Sequence, residues 1–342
     1  MSLALIEALK SLASGHDLGT DEVEAAVHVL LSGDASEAAS AAFLTALRVK
    51  GETEAELEGT VRAVRSRMDL SGLQLPAGDV LDTCGTGGDS ENTVNVSSAT
   101  AVVVAACGIR VAKHGNRSAS GNSGSSEVFA ELGIVVEAHP HVLSRCLVEA
   151  GITFLFAPRF HPGLKHLAPT RRQLPFRTLF NLVGPLVNPA RPVFQLVGVA
   201  GERQGELVAG ALAKLGTRRA AVVTGADGLD EVTLTGSTRV LLVEGAQVHR
   251  LTWTPRDFGL GKVELIDLRV SGPSDSAARI SHTFAGEPGP VRDVIVANTA
   301  AALWVAGEAD LKRGVERAIE AIDSGAAGRV LKHWREVSHE TV

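Results

Sequence analysis

The first 70 residues place apolar side chains at helical spacing and show no strand-like alternation. Residues 3–12 and 23–31 each repeat apolar positions every three or four residues, and Gly33 closes the second run. Residues 38–49 continue the pattern and stop at Gly51. Thr53 and Glu56 then form a capping-box signature ahead of Leu57, Val61 and Val64. The expectation is a small all-helical N-terminal domain over residues 1–70, followed by a linker rich in proline and glycine at 72–79. From Val80 onward, short β-branched runs alternate with alanine-rich segments. That rhythm predicts a larger α/β domain over 73–342, with a mostly parallel central sheet flanked by helices. Strands are predicted at 80–82, 109–112, 134–136, 153–156, 193–199 and 219–223, and helices at 97–107, 125–132, 141–150, 202–215, 291–305 and 311–322. Residues 238–244 and 247–252, joined by Gly245-Ala246, predict an antiparallel hairpin at the sheet edge. Residues 166–189 break the rhythm with prolines and arginines and predict a helical crossing that joins the two domains.

Two polar, glycine-rich loops stand out against this pattern: DTCGTGGDSENTVNVSS at 82–98 and KHGNRSASGNSGSS at 113–126. A packed core has little use for so many glycines, hydroxyls and amides, whereas a phosphate-rich ligand does. Gly85, Gly87 and Gly88 carry no Cβ and can adopt positive φ, so backbone N–H groups can approach a bulky anion. Asn95, Ser97 and Ser98 lead into a predicted helix and put donors at its positive end. Lys113, His114, Asn116 and Arg117 follow the next apolar run, with Ser118, Ser120, Ser123, Ser125 and Ser126 behind them. The glycine loop alone is a weak signal: Ser90 stands where a dinucleotide fingerprint needs its last glycine, and no G-K-[ST] follows. The second loop, with two cations among amides and serines, shifts the balance to anion binding, and the pair suggests a ligand with two phosphate groups.

Composition narrows the setting. The net charge of −6 argues against a general nucleic-acid binder, and a chain with no tyrosine and 4% aromatic residues offers little for base stacking. The longest strictly apolar run, residues 101–107, is far short of a membrane span, and the N-terminus carries Glu7 and reads as an amphipathic helix rather than a signal peptide. Cys84, Cys107 and Cys146 are odd in number and widely spaced, which indicates neither a disulfide framework nor a zinc site. A cytoplasmic protein is expected.

Asp230 and Glu231 follow a predicted strand. Adjacent carboxylates on a loop are usually solvated, but beside a polyphosphate they become Mg²⁺ ligands, with the Ser97 hydroxyl as a further one. Arg171 and Arg172 lie in the crossing, where one guanidinium could recognise a substrate carboxylate; their spacing does not decide which. His139, His141, His161 and His166 have no helical ligand spacing and are read as structural or pocket-lining.

GTGGD at 85–89, NVSS at 95–98, KHGNR at 113–117, SGSSEVFAELG at 123–133, RTLFNLVGPLVNP at 177–189 and DGLDE at 227–231 together resemble the anthranilate phosphoribosyltransferases over essentially the whole chain. The resemblance implies the fold shared with the pyrimidine nucleoside phosphorylases. It implies that Gly85, Gly88, Asp89, Thr93, Asn95, Val96, Ser97, Ser98, Lys113 and Ser125 contact phosphoribosyl pyrophosphate, together with the mobile loop His114, Gly115, Asn116, Arg117, Ser118, Ala119, Ser120 and Gly121. Gly85, Asn116 and Arg171 match anthranilate-binding positions, while Ser97, Asp230 and Glu231 match a Mg²⁺ site expected to serve two ions per subunit. A homodimer joined through the helical domain is implied, with no nucleic-acid or membrane partner. Departures are small: Ser98 replaces a usual threonine, Gly121 and Asn122 a serine and a basic residue, and Pro175 a glycine.

In the reaction this implies, the amine of anthranilate displaces pyrophosphate at C1 of the ribose. Lys113 stabilises the leaving group and no acid or base is assigned, because an aromatic amine is already a free nucleophile at neutral pH. Two other readings are weighed. A nucleoside phosphorylase of the related fold is disfavoured by the KHGNR loop and the DGLDE pair; a non-catalytic nucleic-acid-binding paralogue is disfavoured by the negative charge and the intact acidic pair.

Overall fold

The computed structural model describes residues 2–88, 91–117 and 124–340. Four helices open the chain: α1 (Leu3–Ala13), α2 (Thr20–Ser32), α3 (Glu37–Lys50) and α4 (Glu54–Ser66). Each turns one apolar stripe inward; in α2 it is Val23, Ala26, Val27, Leu30 and Leu31. Gly33 ends α2 in the left-handed conformation, φ 82°. The expected capping box forms: Thr53 Oγ1 accepts from the Glu56 N–H at 3.3 Å, and the Thr53 N–H donates to Glu56 Oε2 at 2.9 Å. Glu56 does more than cap. Fully buried, it also accepts from the Leu18 N–H at 3.0 Å and pairs with Lys50 at 3.1 Å, tying the entry of α2 to the end of α3.

The rest of the chain is built on a seven-stranded sheet: β1 (Leu81–Gly85), β2 (Val111–Gly115), β3 (Ile152–Phe156), β4 (Phe194–Gly198), β5 (Arg219–Gly225), β6 (Thr238–Glu244) and β7 (Gln247–Trp253), in the order β3-β2-β1-β4-β5-β6-β7. The first five in that order are parallel, and β6 and β7 form the expected antiparallel hairpin at the edge. The helices α5 (Val96–Ala106), α6 (Ser125–Glu131) and α7 (Pro140–Glu149) follow β1 and β2. Helix α8 (Ala157–Phe160) follows β3, the crossing holds α9 (Ala168–Gln173) and α10 (Phe180–Val183), and α11 (Glu202–Lys214) connects β4 to β5. The C-terminal helices are α12 (Pro273–Phe284), α13 (Pro290–Val305), α14 (Leu311–Asp323) and α15 (Ala326–Ser338). No helix among the described residues is long and apolar enough to cross a membrane.

The sheet separates two apolar cores by strand alternation. Leu196 of β4 and Ala221 and Val223 of β5 face one core, with α5, α7 and α12 to α15. Val197, Ala220 and Val222 face the other, which α11, the crossing and the N-terminal helices share. The helical block is therefore continuous with one face of the sheet.

Three expectations change. Residues 134–136 form no strand, because their donors are used elsewhere: the Ile134 N–H closes α6 on Phe129 O at 2.9 Å, and the Val135 N–H goes to Ser338 Oγ at 3.2 Å. The strand expected at 109–112 is shifted, since the Ile109 N–H closes α5 on Val104 O, and β2 runs on to Gly115. Lys113 and His114 therefore belong to the sheet and not to a loop. Helices α12 and α15 have no counterpart among the expected elements; α12 buries Ser276 and Thr283 among few apolar residues, which hides its period.

The carboxyl ends of β1 and β4 show why glycine stands there. Gly85 and Gly198 are paired across the ladder, and neither needs positive φ, which corrects the expectation for Gly85. What they need is space: a Cβ on Gly85 would collide with the Asp230 carboxylate, and one on Gly198 with the Asp230 backbone carbonyl. The Asp230 side chain can rotate away from the first, but its backbone cannot move without the loop. Gly198→Ala is therefore expected to cost about 1–3 kcal/mol of stability by overpacking, while Gly236→Ala, which meets only an ordinary contact, costs less than about 1 kcal/mol; urea unfolding of both variants checks the difference.

Candidate active site

The order of the parallel strands reverses at β1, which has β2 on one side and β4 on the other. In a parallel sheet, ligands sit outside the carboxyl ends at such a switch point. The sequence-expected residues converge there. After Gly85, the Thr86 N–H donates to Gly198 O at 2.9 Å, and Gly87 and Gly88 turn the chain with φ 65° and 90°. Asp89 lies outside the described residues.

At the start of α5, Asn95 is the N-cap, its side chain accepting from the Ser98 N–H at 3.2 Å while its own N–H donates to Ser276 Oγ at 2.9 Å. Val96 is buried, and Thr93 is fixed by a bridge to Arg269. The Ser97 N–H donates to Glu231 Oε1 at 3.2 Å, and the Gly87 N–H donates to Asp230 Oδ2 at 2.7 Å. Donors of both anion-binding elements are thus satisfied by the protein's own acidic pair. The buried hydroxyls of Thr86 and Ser98 have no hydrogen-bond partner among the described residues.

Lys113 is the cation of this cluster, and only 1% of it is exposed. Its ammonium donates to Thr83 O and, at 3.2 Å, to Ser97 Oγ. On the adjoining strand, fully buried Asp82 accepts from Asn188 Nδ2 at 2.8 Å and from the His114 N–H at 3.2 Å. Burial raises the Asp82 carboxyl to about 6, against the pull of Lys113 and these donors.

His114, next in β2, turns to the opposite side. Its Nδ1 meets Gly184 O at 3.0 Å and its Nε2 meets His161 Nε2 at 3.2 Å. Burial, first, and the neighbouring imidazole lower His114 to about 3; burial lowers His161 to about 4. Both rings are neutral and link the sheet to the crossing.

The second loop begins at Gly115, where a Cβ would strike Ser125 Oγ. Asn116 Oδ1 accepts from the Arg117 N–H at 2.7 Å, and Ser125 Oγ donates to Asn116 O at 3.4 Å. Arg117 pairs with Glu137 at 2.9 Å and stands over Phe156. Ser118, Ala119, Ser120 and Gly121 lie outside the described residues.

In the crossing, Arg171 stands over the Phe180 ring at 5.9 Å and has no carboxylate within ion-pair distance among the described residues. Arg172 is exposed. Burial and the charge of Arg177 lower the Arg171 pKa. Arg177, which carries no role in the sequence reading, donates to Thr86 O at 2.8 Å, and its guanidinium fills the space a Gly88 Cβ would need. It joins the Arg171 segment to the glycine loop. The signal for it is its place in the RTLFNLVGPLVNP motif, where chemistry is carried by position rather than by spacing.

The acidic loop is stiff. Asp227 accepts from the Leu229 N–H at 3.1 Å and from the Thr233 and Thr235 hydroxyls at 2.5 and 2.6 Å. Among the described residues no three His, Cys, Asp or Glu side chains cluster for an all-protein metal cage. Two carboxylates and a hydroxyl fit an ion that draws its other ligands from water and phosphate, as Mg²⁺ does.

Two hollows elsewhere, against β7 and beside α14, are lined by charged side chains that pair with each other, Glu202 with Arg239 and Arg313 with Glu316, and neither borders the glycine loop.

The histidine pair gives a pH signature. A folded-state pKa below the unfolded value near 6.5 means the unfolded chain takes up the proton first, so stability is full above pH 6.5 and is lost as pH falls toward 4. Asp82, raised to about 6, runs the opposite way between pH 6 and 4. In His161→Gln the His161 titration and its effect on His114 are both removed, and the variant gains on wild type by about 1.4 kcal/mol per pH unit through that window. Urea unfolding at pH 6, 5 and 4 measures the gap, and a constant gap refutes the assignment.

Comparison with known proteins agrees with this geometry. The glycosyl transferase family helical bundle domain matches residues 6–68, and the glycosyl transferase family a/b domain matches residues 77–328. The anthranilate phosphoribosyltransferase of Symbiobacterium thermophilum is 44% identical over 333 residues, 97% of each chain. The crystal structure of anthranilate phosphoribosyltransferase from Thermus thermophilus superposes with a TM-score of 0.90 at 36% identity, covering 97% of this chain and 99% of that one. The Saccharomyces cerevisiae enzyme in complex with PRPP and Mg gives a TM-score of 0.90 at 29% identity, covering 99% and 98%. With matching domains over most of its length and relatives this similar from end to end, the chain belongs to the anthranilate phosphoribosyltransferase family.

Proposed function

We propose that the protein transfers the 5-phosphoribosyl group of phosphoribosyl pyrophosphate to the amine of anthranilate, releasing pyrophosphate. The observation that carries this reading is one connected cluster at the switch point: Lys113 bonds Ser97, Ser97 bonds Glu231, and Asp230 next to it bonds Gly87. A cation, two acidic groups and two sets of backbone donors meet where a diphosphate would lie. The binding of PRPP and Mg by the yeast relative supports it.

The amine nitrogen attacks C1 of the ribose, the C1–O bond to pyrophosphate breaks, and its electron pair leaves on the pyrophosphate oxygen. The nitrogen then releases a proton to solvent. Lys113 and the N–H groups of Gly87 and Ser97 stabilise the leaving charge; one such contact is worth roughly 3 kcal/mol, about a hundredfold in rate. Neutral His114 and His161 are unsuited to act as a strong base, and none is required. A diphosphate that takes the Gly87 and Ser97 donors must displace the carboxylates now bonded to them. Asp230 and Glu231, with the Ser97 hydroxyl, would hold Mg²⁺, which offsets diphosphate charge when bound; two ions per subunit fit two acidic groups and a substrate rich in oxygen. Gly85, Gly88, Asp89, Thr93, Asn95, Ser98 and Ser125 complete the donor site in this reading.

Arg171 is assigned to the anthranilate carboxylate, with Asn116 and Gly85 beside it. Its position over Phe180 without a carboxylate partner leaves the guanidinium fork for that role. The exposed apolar side chains Leu3 and Val49, on α1 and α3, support a homodimer formed through the helical block.

The test is loss of anthranilate fluorescence with phosphoribosyl pyrophosphate and Mg²⁺ present; phosphorolysis of a pyrimidine nucleoside in its place overturns the reading. Asp230→Ala and Glu231→Ala are expected to lower Mg²⁺-dependent turnover by a hundredfold or more, on the scale of about 3 kcal/mol, with far-UV circular dichroism unchanged. Arg171→Ala is expected to raise the anthranilate KM by roughly 10- to 100-fold, the scale of a charge-assisted hydrogen bond, and the donor KM much less. Equal effects on both would make Arg171 structural.

A further inference from the structure

Asn298 lies in the middle of α13, fully buried, on the side that faces the acidic loop. Its Oδ1 accepts from the Val232 N–H at 3.0 Å, and its Nδ2 donates to Val232 O at 2.8 Å and to Val294 O at 2.9 Å. The amide orientation is settled by these partners, since only Nδ2 can donate to two carbonyls. Val232 is the residue directly after Glu231. Its backbone has no strand ladder to join, so the side-chain amide supplies both of its hydrogen bonds.

The loop is held from its other end as well. Asp227 fastens Leu229, Thr233 and Thr235. Asp230 and Glu231 sit between these anchors, with their carboxylates on the Gly87 and Ser97 N–H groups. Helix α13 also packs against α5, whose first turn contains Ser97, and against β4, whose end contains Gly198. One rigid helix therefore references the acidic loop to both anion-binding elements.

We infer that Asn298 is a positioning residue: its double hydrogen bond to Val232 sets where Asp230 and Glu231 present their carboxylates, and so sets metal-dependent binding of the diphosphate donor. The inference rests on the reading of Asp230 and Glu231 as Mg²⁺ ligands. Loss of groups that orient metal ligands typically costs 10- to 100-fold in metal affinity or activity. A purely structural asparagine would lower thermal stability and leave the metal dependence unchanged.

The experiment compares wild type with Asn298→Leu, which keeps the branching and heavy-atom count and removes the hydrogen bonds, and with Asn298→Ser, which admits a bridging water and decides the matter if the leucine variant does not fold. Leu303→Ala, a core change on the same helix, is the stability control. Three quantities are measured: the Mg²⁺ concentration giving half-maximal turnover, the anthranilate KM, and calorimetric binding of phosphoribosyl pyrophosphate with and without Mg²⁺. The Asn298 variants are expected to need roughly tenfold more Mg²⁺ and to weaken Mg²⁺-dependent donor binding to the same extent, with the anthranilate KM within twofold of wild type. An unchanged Mg²⁺ requirement, or one shifted equally by Leu303→Ala, overturns the proposal. Glu231→Gln separates the two levels: if it leaves the Mg²⁺ requirement untouched, the metal assignment itself fails, whatever Asn298 does.

Discussion

The site depends on how closely the Asp230 loop crosses the ends of two central strands. Gly85 and Gly198 are register partners in β1 and β4, and any side chain on either would occupy the space that Asp230 fills. The space they leave, rather than their backbone freedom, brings a carboxylate to 2.7 Å from the Gly87 N–H. The same approach lets Glu231 reach the first turn of α5. Without the paired glycines the acidic loop would stand off the sheet, and the glycine loop, the helix start and the acidic pair would be three separate features.

The Gly87 and Ser97 N–H groups find their acceptors within the protein. Donors aimed outward at the positive end of α5 and along the glycine loop would be costly if left dry and unpaired, and the acidic pair takes them up. A diphosphate presents the same kind of acceptor with more charge, so it competes for the same N–H groups. The carboxylates, once displaced, are left facing a polyanion, which is unfavourable unless a cation stands between them. On the proposed function, donor binding and metal binding are linked through these two hydrogen bonds, whose acceptor loop is fastened from behind by α13.

Much of this is legible in the sequence because its chemistry is local. The Gly87-Gly88 turn, the helix that follows it and the edge hairpin each occupy a few neighbouring residues, and each forms within a residue or two of where it is expected. What fails depends on where backbone donors find distant partners. Residues 134–136 are β-branched throughout, as a strand would be, but the Ser338 hydroxyl takes the Val135 donor from across the fold. Lys113 and His114 read as loop because a charged pair after an apolar run usually is one. In the structure the strand continues through them, and alternation sends one side chain toward α5 and the other toward the crossing. Arg177 and Asn298 escape a sequence reading because each acts on a segment far along the chain, Thr86 and Val232; only the motif around Arg177 marks it, and nothing near Asn298 does.

The placement of Lys113 in β2 alters what its charge can do. A loop lysine would be a hydrated, mobile charge, screened by salt and worth little. In β2 it is enclosed and held by Thr83 O and Ser97 Oγ, while Asp82 on the adjoining strand is bonded by Asn188 of the crossing. Such a charge is oriented before the substrate arrives and acts through a low-dielectric surrounding, where the same ammonium exerts a larger field. Its burial is eased by these two oxygens and by the nearby charge of Asp82. Asn188 also bonds Ala112 O, in the strand that carries Lys113. The crossing that carries Arg171 is therefore fastened through Asn188 to the strand that carries Lys113, so the two cationic side chains are held in one frame by buried polar contacts rather than by the loops alone.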